Sequence, residues 1–511
     1  MNDEKPNKLL LKLDGPNRTS LTILNGGVFA TAVAIFVICR FWDLTRFSLW
    51  TDEIFGLKAA RLGWSDLFQT LILDKVHPPL FYVILKFWIA IGGQSLLWVK
   101  LLPAVIAIAT IVPFYFLCKE INLPIQAMNV ALILMAVNTY LIHYSQELRM
   151  YSLLLSFTVS SFWLFARFIN RDVSVLRDLL FLFINNLLLV YTHYFGWLVV
   201  GVEVCFLIWW NRRKFLLFSA SVVSLGLCFS PWAYLVVRAI WMGQGPITGL
   251  DWIKPPHPTS VNAYFANLGG PLAFSGSTYL RMLLFGAPVL FWFWQIVRTK
   301  QTGRPSDKTL FFWLLTSLAM PLALVYAVST LSPKSIWHQR QLMILVVPFL
   351  LLVVIALFKL QPRWLKTSAL ILVVAWSAAA GFKQVAQSEE LTRIPWQSML
   401  VEMTHAEPPD AEGIKVYQFE RNLNRPIAFY LAESHERRFE TILVADVRAV
   451  EGSHFWIAFR ESRELKRGFP PLHILNKKGY RVGEGIVTGD AGRRVCLLPV
   501  WQQTVGGIAQ R

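Results

Sequence analysis

The sequence predicts a polytopic α-helical membrane protein with a small soluble α/β domain at its C-terminal end. Three observations carry this. Of the 511 residues, 55% are hydrophobic and only 16% charged, whereas a soluble globular domain averages about 25% charged. Phe occurs 37 times and Trp 21 times, the aromatic load expected where side chains meet lipid and its interfaces. Apolar runs of spanning length recur as far as Phe382, after which the composition becomes ordinary.

The runs are 21–41, 98–118, 125–143, 151–168, 179–195, 196–210, 215–240, 279–298, 309–329, 341–359 and 366–382. Each approaches the ~20 residues that carry a helix across ~30 Å of hydrocarbon. The first lacks a small-residue cleavage site, so it reads as a span and not as a signal peptide. The run 80–91, LFYVILKFWIAI, lies between Pro78-Pro79 and Gly92-Gly93. It covers only ~18 Å at ~1.5 Å per residue, and we read it as an interfacial or re-entrant helix.

Charge decides the sidedness. The net charge is +18. With 80–91 not spanning, the basic clusters fall on one side: the tail Lys5–Arg18, then Lys119, Arg167–Arg177, Arg212–Lys214, Arg298–Lys308 and Lys359–Lys366. That is the cytoplasmic signature. It implies about eleven spans, a cytoplasmic tail 1–20, a membrane domain 21–382 and an outer domain 383–511, in a multi-pass plasma (inner) membrane protein. The basic residues are scattered through short loops, which excludes a nucleic-acid partner and leaves membrane lipid as the general one. Five cysteines show neither a disulfide framework nor a zinc spacing.

In 383–511 the segments IKVYQF, TILVADV, FWIAF, YRVGEG and RRVCLLPV read as strands, and NRPIAFYLAE and SRELKRG as helices. Their alternation predicts a small α/β domain. It carries no catalytic motif.

The outer side collects the chemically capable residues. The first outer loop, 42–97, holds the acidic pair Asp52-Glu53 and His77. At a membrane mouth such carboxylates are commonly functional, although Thr51 can equally cap a helix there. Gln146, Glu147, Arg149 and Tyr151 lie between two spans in QELRMY; His193 and Tyr194 end another; Lys334, His338 and Arg340 precede a late one. Singly, these read as belt aromatics, local ion pairs and loop histidines. Basic residues outside nevertheless run against the positive-inside bias, which an anionic ligand would explain. A divalent metal on His193 with Glu53 or Glu147 is a candidate cofactor without a spacing rule behind it.

Taken in order, TDEIF, VHPPLFYVILKFW, YSQELRMYSLLL, YTHYFGW and HQRQLMILVVP resemble the GT-C superfamily of membrane glycosyltransferases over roughly residues 20–360. More narrowly they resemble the bacterial branch related to protein O-mannosyltransferases and the lipid A aminoarabinose transferase. The oligosaccharyltransferase signature WWDYG is absent. The resemblance implies a polyprenyl-phosphate-sugar donor and a glycan, lipid or protein acceptor. It implies a catalytic Asp52 with Glu53 beside it. It places His77, Arg149, Lys334 and Arg340 toward the donor phosphate, and Gln146, Glu147, Tyr151, His193, Tyr194 and His338 along the cavity. Asp52 would take the acceptor's proton, and a single displacement would invert the anomeric carbon. The rival classes are a transporter or flippase for a lipid-linked or anionic glycan, which favours repeated halves and broken mid-membrane helices, and a non-catalytic scaffold. The polar residues gather at one face and no repeat is evident, which favours the enzyme.

Sidedness is directly measurable. A topology reporter fused after Phe382 is expected to be active only outside the cytoplasm, and one at Lys214 only inside. The opposite result at either site would reassign 80–91 as a span.

Overall fold

The computed structural model describes residues 21–172, 175–210, 212–245, 253–272, 274–298, 305–386, 394–460, 472–488 and 495–503. They form two compact units. The first is drawn from the stretches Met1–Trp42, Ala59–Gln94 and Trp98–Ala386, the second from Asp43–Lys58, Ser95–Leu97 and Gln387–Arg511.

The first unit is all helix. Among the described residues, eight helices are long and apolar enough to cross a membrane, or nine if a bent pair counts as one span. Asn25–Phe41, Leu80–Gly92 and Gly196–Ile208 are apolar but shorter. Every run read from the sequence is helical, yet several are broken, each at a residue that explains the break. The run at 98–118 divides into Leu96–Ala109 and Ile111–Glu120. Pro113 offers no N–H to Ala109 O, and its ring crowds that carbonyl. The run at 125–143 bends by 58° between Ile125–Val137 and Thr139–Ser145. There Asn138 leaves the helical region, and its side chain accepts the Leu141 N–H at 3.0 Å, the capping role to which Asn is suited. The run at 279–298 contains a π turn, Met282–Gly286, just ahead of Pro288.

The bundle is tied by polar bonds as well as by packing. Leu21–Phe41 lies on Ile125–Val137. Asn129 Nδ2 donates to Asn25 O at 2.9 Å, and Arg40 Nη2 to Met135 O at 2.8 Å. Glu203, wholly buried, accepts from Ser161 Oγ at 2.7 Å and from Asn186 Nδ2 at 3.0 Å. These bonds knit the helices Tyr151–Asn170, Val175–Thr192 and Gly196–Trp210 through side chains that lipid could not satisfy. The helix Arg363–Ala386 approaches the 137–138 break so closely that a Cβ on Gly381 would lie 2.4 Å from Val137 O. Residues 346–357 are buried on every side, as a helix apolar all round must be in a bundle core.

The second unit contains a six-stranded sheet: β1 Ile414–Gln418, β2 Phe439–Leu443, β3 His454–Arg460, β4 Tyr480–Val482, β5 Ile486–Thr488 and β6 Val495–Gln502. The order is β2-β1-β3-β6-β4, with β5 also on β6. Strands β1, β2 and β3 are parallel and the pairings of β6 antiparallel. Parallel pairing of β1 and β2 requires a crossover, which the helix Arg421–Glu433 supplies. Tyr417, Val447, Phe455, Ile457, Leu475 and Val500 form the core of one face. The strands read from the sequence are all present, with ends shifted by up to four residues: TILVADV runs four residues past the end of β2, and YRVGEG three past the end of β4. The helix read at SRELKRG lies outside the described residues.

Candidate active site

The acidic pair opens the helix Thr51–Arg61 in the loop that belongs to the second unit. Glu53 Oε2 accepts the Trp50 N–H at 3.0 Å, the reach-back half of a capping box. Both carboxylates lie at the positive end of the helix dipole. Glu53 is buried and Asp52 half-buried. The two neighbours therefore differ: one carboxylate is bonded to backbone, while the other sits at the more open position.

The first unit holds the cationic group. His77 lies in the turn between the helices Trp64–Asp74 and Leu80–Gly92. Its ring centroid is 5.1 Å from that of His193, which directly follows the helix Val175–Thr192. Both rings are buried. His193 Nδ1 accepts the Phe195 N–H at 3.0 Å, so the neutral ring carries its proton on Nε2. Among the described residues, the buried His193 Nε2 and His77 Nδ1 have no hydrogen-bond partner. Arg149 is buried in the turn ahead of the helix Tyr151–Asn170, and its Nη1 donates to Tyr82 Oη at 3.3 Å. Arg340, also buried, places its guanidinium carbon 5.8 Å from the Tyr151 ring centroid, within cation–π range.

Electrostatics binds these four residues into one group. Burial, then the charges of Arg149 and Arg340, hold His193 down at about 3. His77 is pushed well below the usual imidazole range by burial, then by Arg149, His193 and Arg340. Both histidines are thus neutral at physiological pH, and the positive charge comes from guanidiniums, which do not titrate there. Two arginines with forked donors, beside an imidazole N–H, suit the oxygens of a phosphate.

The remaining residues singled out in the sequence have mixed placements. Glu147 is buried in the same turn, where its carbonyl accepts the Arg149 N–H at 2.6 Å. Gln146 Nε2 donates to Trp42 O at 2.9 Å and so closes the end of the first helix. Tyr194 Oη accepts from Trp232 Nε1 at 3.2 Å. His338 Nδ1 accepts the Arg340 N–H at 3.4 Å and caps the segment that carries Arg340. Lys334 is exposed. Among the described residues, no three His, Cys, Asp or Glu side chains come together to hold a metal ion.

Two features were not read from the sequence. Tyr82, the partner of Arg149, stands inside the quoted HPPLFY motif, and its position one turn past Pro79 was the available signal. The other is an apolar cavity of about 890 Å³ in the first unit. Its walls include Val261, Phe265, Met282, Phe285, Leu290 and Phe349, with Arg281 as its cation. The helix Pro258–Gly269 serves both places: Val261 and Phe265 line the cavity, while Tyr264 Oη donates to Leu342 O at 2.7 Å, two residues past Arg340. No single-residue pattern signals this, because the lining is gathered from four separate stretches of chain.

The depressed histidines give the protein a pH signature. An unfolded His193 takes up a proton below about 6.5, but the native one does not until about 3. The unfolded state therefore binds more protons in this window, and stability falls as pH drops below about 6.5, by up to ~1.4 kcal/mol per unit. Thermal unfolding in detergent between pH 7.5 and 5 is expected to show a smaller loss for His193→Gln than for the unsubstituted protein.

No family profile and no curated protein matches the chain in sequence. Among solved structures it is similar to ArnT from Cupriavidus metallidurans bound to undecaprenyl phosphate, with a TM-score of 0.53 and 12% identity over 94% of this chain and 98% of that one. It is also similar to the oligosaccharyltransferase of Archaeoglobus fulgidus tethered to an acceptor peptide, with a TM-score of 0.51 and 13% identity over 91% of this chain and 69% of that one. The archaeal oligosaccharyltransferase AglB, in complex with an inhibitory peptide and a dolichol phosphate, aligns with a TM-score of 0.50 and 12% identity over 81% of this chain and 64% of that one. At such identities the likeness is one of architecture, and the fold of this chain is that of the GT-C membrane glycosyltransferases.

Proposed function

We propose that this chain is an integral-membrane glycosyltransferase that moves a sugar from a polyprenyl-phosphate donor to an acceptor hydroxyl at the extracytoplasmic face. The observation that carries the reading is the buried group of Arg149 and Arg340 around two neutral histidines, on a GT-C fold. A donor phosphate needs fixed positive charge, and its prenyl chain needs an apolar channel. The cavity of about 890 Å³ with Arg281 on its wall suits that chain. The solved ArnT structure contains undecaprenyl phosphate, a carrier of the class proposed here.

In this reading Asp52 accepts the proton of the acceptor hydroxyl. The new bond forms between the acceptor oxygen and the anomeric carbon while the bond from that carbon to the phosphate oxygen breaks. The electron pair leaves on the polyprenyl phosphate, where the guanidiniums meet the developing charge. One displacement inverts the configuration. Glu53, occupied with the Trp50 amide, holds the turn that presents Asp52.

Purified protein offered a panel of undecaprenyl-phosphate hexoses and pentoses is the test of the class. With the donor that is turned over, Asp52→Asn is expected to lower turnover by about a hundredfold or more, the contribution of a positioned base, with donor affinity largely kept. Normal turnover in folded Asp52→Asn would remove Asp52 from this role.

The phosphate clamp is tested separately. Arg149→Lys and Arg340→Lys keep charge but lose the planar fork, so each is expected to weaken binding of a non-transferable donor, as are the alanine variants. Unchanged affinity in all four folded proteins would place the phosphate elsewhere.

A further inference from the structure

The second unit joins residues that lie far apart in the chain: the acidic loop 43–58 and the C-terminal stretch from 387 onward. Hydrogen bonds make the junction. The Leu49 N–H donates to Tyr430 Oη at 2.6 Å, with Leu49 3% and Tyr430 6% exposed. The Gln397 N–H donates to Ser48 Oγ at 3.2 Å. Gln397 is in the first turn of the helix Trp396–His405, whose leading amides have no partner within the helix. A loop serine thus caps a helix 349 residues further along the chain. On the other side of the acidic pair, Lys58 Nζ lies 5.5 Å from the ring centroid of Phe429, the neighbour of Tyr430. These contacts bracket Asp52 and Glu53 from both directions along the chain.

We infer that Tyr430 is a positioning residue for Asp52, and that the C-terminal domain acts on the reaction by fixing the start of the helix that Asp52 opens. The inference rests on the reading of Asp52 as the base. The physical chain is short. Leu49 N–H is buried, and a buried amide must be paired; the phenol oxygen pairs it. Trp50 N–H is held next by Glu53 Oε2. The carbonyl of Trp50 then accepts the Ile54 N–H at 2.9 Å, so the first turn starts from a fixed point and Asp52 sits one residue into it. A base displaced by ~1 Å can lose about a hundredfold in rate, which makes the anchoring of this turn a catalytic matter and not only a matter of domain packing. Burial raises the Tyr430 phenol well above its ordinary range, and the Glu53 carboxylate, which is within its electrostatic reach, raises it further. The phenol is therefore permanently protonated and stays a neutral partner for the backbone.

Tyr430→Phe removes the oxygen and keeps the ring. In the full chain, hydrogen exchange of the 47–55 peptide is expected to become roughly five- to tenfold faster, the factor carried by one hydrogen bond, with β3 and β6 peptides unchanged. Turnover of the donor identified in the panel is expected to fall about tenfold, with its KM within about twofold. Ser48→Ala, which leaves the domain core untouched, is expected to show the same pattern more weakly and serves if Tyr430→Phe does not fold. Unchanged exchange in 47–55, or unchanged turnover alongside an inactive Asp52→Asn, overturns the inference. So does a raised KM with kcat intact. Full activity in Asp52→Asn instead sinks the assignment of the base, and the exchange experiment still decides whether Tyr430 anchors the loop.

Discussion

Backbone that leaves helical geometry must find its hydrogen bonds elsewhere, and the first unit depends on how one stretch does so. Gln339–Leu345 is a 3-10 segment in which Leu342 departs from helical dihedrals (φ −81°, ψ 18°). It leads directly into the helix buried on every side, and residues 340–345 are themselves buried, so their carbonyls have little access to water. Side chains supply the bonds: Tyr264 Oη donates to Leu342 O, Tyr140 Oη donates to Gln339 O, and His338 Nδ1 accepts the Arg340 N–H. The tyrosines come from two other helices, Pro258–Gly269 and Thr139–Ser145. Satisfying an irregular backbone thereby fixes Arg340 in place. The same requirement joins its segment to the helix that lines the apolar cavity.

The cationic group is arranged so that its charge is independent of ordinary pH changes. Imidazoles placed among guanidiniums and out of water cannot afford a proton, so His77 and His193 stay neutral. Arginine, by contrast, keeps its charge under any condition the protein meets. Neutral histidines then serve as hydrogen-bonding walls, and His193 presents a donor at Nε2. This division suits a ligand that carries its own fixed negative charge and must be held but not protonated.

The acidic pair shows a comparable division. Adjacent carboxylates look alike in sequence, but on a helix start they point in different directions about 100° apart. Glu53 turns back to the Trp50 amide while Asp52 occupies the more open position. The bonds from Ser48 and Leu49 to the C-terminal stretch then give a domain without a catalytic motif a part in holding that turn.

The sequence by itself determined which segments are helical within hydrocarbon, because apolar run length is a local property and a lipid-spanning backbone has little alternative to helix. It also determined the strands after Phe382, whose short apolar runs stand between turn residues. It marked Asp52, His77, Arg149, His193 and Arg340 through motifs that occur in a set order. The tertiary structure alone decided that His77, Arg149, His193 and Arg340 stand together. Gln146, Tyr194 and His338 carry the same local signals as the others, yet they are spent on a helix end, a tryptophan and a cap. The apolar cavity with Arg281 and the bond from Leu49 to Tyr430 likewise depend on packing. The physical reason is separation along the chain: Leu49 and Tyr430 are 381 residues apart, and no local pattern records a contact that exists only when two distant segments are folded against each other.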